Sequence, residues 1–515
     1  MHTKIFSATT IGVDAHLVHV EVDLSFGMIQ FHIVGLPDTA IKESKQRIST
    51  ALKNSGFNFP EKKITVNLAP ADLKKEGTLF DLPIAIGILQ AANYLQLSQD
   101  FLQETLFLGE LSLDGSIRSI KGALPIAYDA QRLHKKRIIV PQQNAQEAAL
   151  IENIEVIGAQ HLVELIAYLR DEKTIEPTKH SFAHYLKLQE TPSLDFNQVK
   201  GQHQAKRALS IAAAGRHNIL FIGPPGSGKT MLAKRLPTIM PPMNFDETLQ
   251  TSKIYSVSGK LGNQPLITQR PFRNPHHTIS QAGLVGGGSF PQPGEISLTH
   301  NGILFLDELT EFKRTTLEVL RQPLENKTVC ISRATHSVHF PANFLLIAAL
   351  NPCPCGFLGD AKKPCNCSKQ SIEKYLEKLS GPMLDRIDLQ IHVPSVEYDT
   401  LKNTQEHSVS STDLYKQVSI ALEKQAIRFN GKNTWNSSMS PDMIENHCQL
   451  TSQAETLIKT AFDKLNLSMR GYHKILKVAR TIADLENQDV IEAHHIREAI
   501  FYRSLDQNLE KMKQR

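Results

Sequence analysis

The stretch "HNILFIGPPGSGKTMLAKRL", residues 217–236, decides the fold of the central part of this chain. Its apolar run "NILFI" predicts a buried strand, and "MLAKRL" predicts the start of a helix. Between them, Gly223, Gly228, Lys229 and Thr230 match the pattern G-x-x-x-x-G-K-[ST]. Glycines let such a loop wrap phosphates with its N–H groups, and the following helix adds the positive end of its dipole. This order of strand, loop and helix predicts a nucleotide site on a parallel α/β sheet.

The residues of this P-loop share the task of holding a triphosphate and its metal ion. Lys229 reaches the outer phosphates, and the Thr230 hydroxyl is a ligand for Mg²⁺. ATP and Mg²⁺ are therefore the expected cofactors. The nucleotide-binding residues of the loop are Gly223, Pro224, Pro225, Gly226, Ser227, Gly228, Lys229, Thr230 and Met231.

Two further strand patterns end in polar residues. The run "GILFLDE" ends in Asp307 and Glu308, and "FLLIAAL" is followed by Asn351. Phosphoryl transfer needs one carboxylate near Mg²⁺ and another group that orients or deprotonates the attacking water, so Asp307 is assigned the first role and Glu308 the second. Asn351, at the carboxyl end of a central strand, can hold the water or the γ-phosphate.

Two arginines are candidates for neutralising charge in the transition state. Arg386 lies in "SGPMLDRIDLQIHVP", and Arg470 lies in "LNLSMRGYHKILKVARTIADL". Either arginine could instead form an ordinary solvated ion pair. The residues alone leave both alternatives open.

Length and composition bear on the number of domains, the location and the possible partners of the protein. At roughly 150 residues per domain, 515 residues predict about three domains. No apolar segment approaches the roughly 20 residues that cross a bilayer, and the N-terminus lacks the pattern of a signal peptide, so a cytoplasmic protein without a membrane partner is expected. The net charge is only +5, which confines any nucleic-acid contact to a local patch.

The pattern of apolar runs divides the chain into an α/β protein of three domains and one linker. Residues 1–170 alternate β-branched runs with helical stretches, and 171–194 are polar and lack periodicity. Residues 195–395 carry strands separated by helices, as in a parallel sheet with a P-loop. Residues 396–515 have helical spacing and predict a helical lid.

The motifs "GPPGSGKT", "FLDEL", "LNPCPCG", "SGPMLDRIDL" and "SMRGYHKILKVARTIADL", in this order, resemble the AAA+ ATPases of the magnesium-chelatase-like ComM/YifB family. The resemblance implies that Asn351 is sensor 1, Arg386 an arginine finger offered to the neighbouring subunit, and Arg470 the sensor 2 arginine of the lid. An arginine that acts on a neighbour implies a ring, and the family implies a homo-hexamer. The residues that match the segment beside the adenine are Val199, Gly201 and Gln202.

The N-terminal region carries a resemblance of its own. The stretches "KEGTLFDLPIAIGIL" and "GELSLDGSIRSIKGALPIAYDA" resemble the proteolytic domain of Lon proteases, which uses a Ser/Lys dyad. Here Thr78, Leu79 and Phe80 stand where the serine would fall, and Leu124 lies near the lysine position. A Lon-protease-like fold without peptidase activity is therefore expected, serving assembly or DNA contact.

Two inserts of the ATPase domain are candidates for DNA contact. The first, "TQRPFRNPHHTISQAGLVGGGSFPQPGE", contains glycines that permit a mobile loop, and the second, "ENKTVCISRATHSVHF", predicts a hairpin that turns near Ala334. The resemblance places both at the central pore, where phosphate contacts give sequence-independent affinity. Histidine-rich loops can also be solvated surface or shape a subunit interface. The candidates are Arg270, Arg273, His276, His277, Lys327 and Arg333, with His336 and His339 as further donors on the hairpin.

Four cysteines form two C-x-C pairs around a short polar loop: Cys353, Cys355, Cys365 and Cys367. Four thiolates can close a tetrahedral structural zinc site, and disulfides are disfavoured in a cytosolic protein. Reduced thiols without metal are the alternative that the spacing leaves open.

The resemblance implies a DNA-translocating ATPase. Proteins of the ComM type are associated with branch migration that integrates single-stranded DNA during natural transformation. The implied partners are single-stranded and branched DNA and recombination proteins. The alternative is a protein-remodelling or metal-chelatase-type ATPase, but a chelatase motor needs porphyrin-binding and metal-handling subunits that nothing in this chain supplies.

Overall fold

The computed structural model describes the chain in nine ranges. They are 2–179, 194–262, 264–288, 290–332, 337–360, 362–395, 409–431, 434–465 and 467–503. Most of the predicted linker at 171–194 lies outside them, and so does the start of the predicted lid at 396–515. These domain boundaries therefore stay predictions.

The N-terminal domain contains two main sheets, one small hairpin and their covering helices. Its strands are β1 His2–Ile11, β2 Asp14–Ser25, β3 Gln30–Val34, β4 Lys63–Ala69, β5 Thr105–Phe107, β6 Glu110–Leu111, β7 Ile117–Arg118, β8 Arg137–Pro141 and β9 Glu155–Ala159. Its helices are α1 Thr39–Asn54, α2 Asp81–Ala91, α3 Gln99–Glu104, α4 Ala123–Ala130, α5 Gln142–Ala148 and α6 Leu162–Leu169.

The first sheet has the strand order β1-β2-β4-β3, and the second, β5-β8-β9, is parallel. Helix α2 packs on β1 and β2 and is buried on every side, which explains why its run "LPIAIGIL" has no amphipathic period. Gly87 permits this close packing, because a Cβ there would lie 2.6 Å from Val22.

The ATPase domain contains five parallel strands and two short hairpins. Its strands are β10 Ile219–Ile222, β11 Phe272–Arg273, β12 Gly286–Gly287, β13 Gln292–Pro293, β14 Ile303–Leu306, β15 Thr328–Ser332, β16 Ser337–Pro341, β17 Leu345–Leu350 and β18 Leu389–His392. Its helices are α7 His203–Gly215, α8 Lys229–Arg235, α9 Phe245–Ser258, α10 Gln281–Val285, α11 Glu295–Leu298, α12 Arg314–Glu318, α13 Arg321–Asn326, α14 Lys369–Leu376 and α15 Gly381–Leu384.

The parallel sheet has the order β11-β14-β17-β10-β18. Both of its faces are covered, which explains why β10, β14 and β17 read as continuous apolar runs. Ile219 and Phe221 join the core on one face, and Leu220 and Ile222 join the core on the other. The carboxyl ends of β10, β14 and β17 consequently lie side by side, and the predicted site residues follow them.

The C-terminal region is helical. Its helices are α16 Ser411–Arg428, α17 Pro441–His447, α18 Ser452–Lys464, α19 Met469–Leu485 and α20 Ala493–Phe501. Leu209 of α7, Val418 of α16 and Ile482 of α19 belong to one buried cluster, so this region shares a core with the ATPase domain. None of the helices that the structure describes is long and apolar enough to cross a membrane. The predicted fold class is confirmed.

Helix α4 joins the N-terminal domain to α9 of the ATPase domain. Leu124 is fully buried in a cluster with Leu249 of α9. The Gly122 N–H donates to the Ser256 carbonyl at 3.1 Å, and the Ser256 hydroxyl donates to Glu147 at 2.9 Å. The region that carries the catalytic lysine in the Lon pattern is therefore used here to pack two domains together.

Candidate nucleotide-hydrolysis site

The P-loop follows β10 and owes its shape to glycines. Gly226 and Gly228 have φ angles of +76° and +92°, in the left-handed region that other residues rarely adopt. Gly223 lies so close to Val393 that a Cβ would come within 2.1 Å of its carbonyl oxygen. Gly228 caps α8, so this helix begins at Lys229 and directs its amino end toward the loop.

Lys229 is buried inside the loop. Its Nζ donates to the carbonyls of Gly223 at 2.7 Å and Pro224 at 2.9 Å, and to Asn351 Oδ1 at 3.3 Å. Burial lowers the pKa of Lys229 from its ordinary value, while Asp307 and Glu308 partly offset the shift. The structure thus brings the predicted phosphate-binding lysine and sensor 1 asparagine together.

The two predicted Mg²⁺ ligands are also adjacent. The Thr230 hydroxyl donates to Asp307 Oδ2 at 2.8 Å, which joins the start of α8 to the end of β14. A hydroxyl and a carboxylate are oxygen ligands of the kind that Mg²⁺ takes beside nucleotide phosphates. These two residues therefore fit the metal ion that the P-loop implies.

Glu308 is the exposed member of the acidic pair. Its backbone is left-handed, with φ of +51°, an uncommon conformation that is found at functional sites. Its carboxylate lies 3.3 Å from His277 Nδ1. The acid assigned to water activation therefore contacts the histidine-rich insert.

The segment before α7 lies beside the P-loop. Gln202 Nε2 donates to the carbonyls of Ser227 at 3.2 Å and Pro394 at 2.8 Å, and so bridges the P-loop and the end of β18. Val199, three residues before Gln202, is buried. Gly201 has a left-handed φ of +62°. This position agrees with the adenine-side role that the resemblance implies.

Arg386 and Arg470 lie together, but at the opposite end of the sheet from the P-loop. The Arg386 carbonyl accepts a hydrogen bond from Asn218 Nδ2 at 3.1 Å, just before β10 begins. The P-loop follows the other end of β10, a distance of about 13 Å for four strand residues. Arg386 and Arg470 both pair with Glu325 Oε1, at 2.6 Å and 3.6 Å. The structure does not bring either arginine to the P-loop of its own chain.

The first two DNA-contact candidates, Arg270 and Arg273, both form ion pairs within the subunit. Arg270 is 8% exposed, and its guanidinium pairs with Glu247 at 2.8 Å and donates to the Asn301 carbonyl at 2.8 Å. A buried guanidinium with these partners cannot reach a DNA phosphate, so this prediction is wrong. Arg273 is half-buried and makes two hydrogen bonds to Glu295, at 2.6 and 2.7 Å. Its charge is already paired within the subunit.

The other DNA-contact candidates occupy different places. His276 is exposed and stacks on His277, with ring centroids 4.1 Å apart. Lys327 lies at the base of the β15–β16 hairpin, beside the arginine pair. His339 is exposed on β16. Arg333 and His336, which stand between β15 and β16 in the sequence, lie outside the described residues.

The four clustered cysteines converge. Their Sγ atoms lie within 4.8 Å of one another, and the shortest pairs are 3.3 Å for Cys353–Cys355 and 3.6 Å for Cys353–Cys365. A tetrahedral zinc with Zn–S bonds of about 2.3 Å places its sulfurs about 3.8 Å apart. A hydrogen bond from the Phe357 N–H is the main cause that lowers the pKa of Cys355 to about 6. The four thiols therefore fit one zinc ion.

This cysteine segment also contacts the nucleotide site. It begins directly after Asn351, and Gly356 packs on the P-loop so closely that a Cβ would lie 2.5 Å from Pro225. A ligand that orders the cysteine segment would consequently also stabilise the P-loop at Pro225. The sequence offered no signal for this contact.

The position of the Lon-type nucleophile holds no comparable pair. The Thr78 hydroxyl donates to the carboxylate of Glu110, an acid rather than an amine. Leu124 is buried in the joint between domains. The lack of a Ser/Lys dyad stays a prediction.

Sequence reasoning missed the neighbours of the two arginines. Glu325 is their shared partner, and Lys474 and Lys477 follow Arg470 along α19. A signal was present, because positions i, i+4 and i+7 lie on one face of a helix. Glu325 gave no such signal, since its contact to α19 spans more than 140 residues of sequence.

Comparison with known proteins agrees with the geometry. Models of the magnesium chelatase subunit ChlI match residues 20–144 and 195–401, and a model of its C-terminal region matches 408–503. Competence protein ComM of Haemophilus influenzae is 44% identical over 99% of this chain and 98% of its own length. The uncharacterized protein YifB of Escherichia coli is 42% identical over 99% and 97%. Lon protease 2 of Bacillus subtilis is 26% identical over 31% of this chain and 33% of its own length.

Proposed function

We propose that this chain, which belongs to the magnesium-chelatase-like AAA+ family of ComM and YifB, is an ATP-driven DNA translocase. It works as a ring, and it promotes branch migration when single-stranded DNA is integrated during natural transformation and homologous recombination. Its place of action is the cytoplasm, and recombination proteins are its expected partners.

The contacts around the P-loop support ATP hydrolysis. Lys229, Thr230, Asp307 and Asn351 form one connected group at the carboxyl ends of three strands. Lys229 would bind the outer phosphates, and Thr230 and Asp307 would hold a Mg²⁺ ion, whose charge would neutralise that of the phosphates. Glu308 orients the attacking water and takes its proton.

The position of the two arginines is the observation that carries the ring. A P-loop ATPase needs a cation near the γ-phosphate in the transition state. Arg386 and Arg470 lie at the far end of the sheet from their own P-loop, so they serve the nucleotide of a neighbour. Head-to-tail contacts of this kind form a ring when successive rotations between subunits add up to a full turn. A homo-hexamer is the expected ring.

Relationship to a competence protein supports DNA as the substrate. His276, His277, the hairpin residue His339 and Arg333, which follows β15 in the sequence, remain as contact candidates after Arg270 is removed. A small number of phosphate contacts per subunit, repeated around a ring, gives affinity without sequence preference. Arg273 contributes only if it leaves Glu295.

The cysteine cluster holds a structural Zn²⁺ in this proposal. Its ligands are Cys353, Cys355, Cys365 and Cys367, whose sulfur spacing fits one ion. A zinc ion there would fix the loop after Asn351 and its contact with Pro225.

The first test is the ATPase rate of the purified parent with no DNA, with single-stranded DNA and with a branched junction. The proposal expects stimulation by DNA, and Glu308→Gln serves as the control for contaminating ATPases. The Lon-like N-terminal domain favours protein remodelling as a second candidate. Stimulation by an unfolded protein, with none by either DNA, would favour that candidate.

A further inference from the structure

A basic cavity surrounds the two arginines. Its volume is about 570 Å³, and it is bounded by the base of the β15–β16 hairpin, α19 and the start of β18. The cations that line it are Arg216, Lys327, Arg386, Arg470, Lys474 and Lys477. Its carboxylates are Glu325, Asp385 and Asp388, half as many as its cations.

Four of these cations have carboxylate partners within the subunit. Lys474 pairs with Asp388 at 2.8 Å. Arg216 pairs with Glu247 at 2.5 Å, outside the cavity. Arg386 and Arg470 share Glu325.

The remaining two cations are Lys327 and Lys477. Lys477 Nζ donates only to the Ser437 carbonyl, at 3.1 Å, and no described carboxylate lies within 4.0 Å of either ammonium group. Burial is the main cause that lowers the pKa of both lysines; Arg216 and Lys477 lower that of Lys327 further, while Asp388 partly offsets the shift of Lys477. Two unpaired cations in one cavity leave a site for an anion.

Lys327 is also held in an unfavourable backbone conformation. Its φ is +56°, which costs a residue other than glycine or asparagine about 1 kcal/mol. Its N–H donates to the Pro323 carbonyl at 2.9 Å, and its carbonyl accepts from Ala342 at 2.8 Å. The second bond closes the base of the β15–β16 hairpin. The fold is therefore not stabilised by having lysine at position 327, either through its backbone conformation or through its ammonium group.

We propose that Lys327 and Lys477 complete, with Arg386 and Arg470, a site for the triphosphate of the neighbouring subunit. This inference rests on the proposed ring, because the anion comes from the next subunit. Phosphate oxygens replace the missing carboxylates and remove the repulsion between the lysines. Because Lys327 directly precedes β15, the site also joins a neighbour's nucleotide to the hairpin proposed to contact DNA.

The test uses Lys327→Asn and Lys477→Gln in the full-length protein. Asparagine tolerates the left-handed backbone, and glutamine keeps a helical side chain of similar reach. Lys459→Gln is the matched control, since Lys459 is an exposed lysine on α18 outside the cavity. Each variant is measured for ring assembly, thermal unfolding, binding of a fluorescent ATP analogue, and ATP turnover.

We expect Lys327→Asn to assemble and to bind nucleotide within twofold of the parent, with an equal or higher melting temperature. Its turnover should fall at least about tenfold, less than the roughly 100- to 1000-fold typical of losing a transition-state donor, because Arg386 and Arg470 remain. Mixing it with inactive Lys229→Ala subunits should restore turnover above the sum of the two, because some interfaces then pair an intact P-loop with an intact Lys327.

Several results would overturn the inference. The inference fails if Lys327→Asn turns over ATP at the parental rate or if this variant does not form the ring. It also fails if mixing with Lys229→Ala does not restore turnover. A variant with parental DNA-free turnover and a weaker salt dependence of DNA binding would assign the cavity to DNA instead. Mixing Arg386→Ala with Lys229→Ala in the same way separates the two proposals. If turnover is restored for Arg386→Ala but not for Lys327→Asn, the role of Lys327 is rejected and the proposed ring is retained.

Discussion

Lys229 and Glu308 lie at different points of the hydrolysis site, so their loss should have different consequences. Lys229 is buried among loop carbonyls, whereas Glu308 is exposed beside His277. We expect Lys229→Ala to lose ATP binding, and Glu308→Gln to bind ATP but turn over at least about 100-fold more slowly. Equilibrium binding and steady-state phosphate release measure the two effects. Parental turnover in Glu308→Gln would show that the carboxylate has another role.

Arg270 offers a test of burial against DNA contact. Removing it leaves Glu247 with a single buried cationic partner, and breaking a buried pair costs about 3–5 kcal/mol. We expect Arg270→Ala to lower the free energy of unfolding by about 3 kcal/mol, measured in urea. Arg273→Ala is the control, because its half-buried pair with Glu295 should cost about 1 kcal/mol or less. An unchanged stability with a weaker salt dependence of DNA binding would return Arg270 to the DNA surface.

The same residues show what can be predicted locally. Lys229, Thr230 and Asp307 were found because each motif is continuous in sequence and follows a strand. Arg270 was placed wrongly because its partner Glu247 lies 23 residues away and gives no local signal. Residue type and nearby glycines could not distinguish a buried ion pair from a surface cation.

At the scale of elements, the strand-like runs "NILFIG", "GILFLDE", "FLLIAAL" and "LQIHVP" predicted four of the five parallel strands. The fifth, β11, has only two residues and no such run. The hairpin around Ala334 is confirmed by the antiparallel pairing of β15 with β16. The proximity of Lys327 to the cations of α19 could not be predicted, because it depends on the tertiary packing that brings them to one cavity.

The cysteine segment should be stabilised by a bound zinc ion. We expect protein purified without chelator to contain about one zinc per subunit, and Cys365→Ser with Cys367→Ser to release it and lower the melting temperature. Cys330→Ser is the matched control, since that cysteine lies on β15 outside the cluster. Metal analysis that finds no zinc in the parent would leave four reduced thiols.

At the scale of the whole molecule, the proposed ring requires that each hydrolysis site use a second subunit. Arg386→Ala should bind ATP nearly as the parent does but lose turnover, because its own P-loop is intact. Mixing it with Lys229→Ala should restore part of the activity, since some interfaces then combine a working P-loop with a working arginine. If the mixture stays inactive while both variants form rings, Arg386 acts within its own subunit.

The domain arrangement adds a point that the sequence could not supply. Leu124, near the Lon-type lysine position, could be identified from the sequence, but its place at the joint with α9 depends on the three-dimensional packing. The joint links the N-terminal domain to the ATPase domain where α4 meets α9.

The central claim is that ATP hydrolysis moves DNA junctions, and a three-strand exchange assay tests it most directly. The parent, Glu308→Gln and the hairpin variant Arg333→Ala are compared with ATP and with a non-hydrolysable analogue. We predict that the parent extends branch migration only with ATP, that Glu308→Gln does not, and that Arg333→Ala is impaired while its DNA-free ATPase stays near parental. A parent that moves no junction, and whose ATPase is the same with and without DNA, would contradict the account.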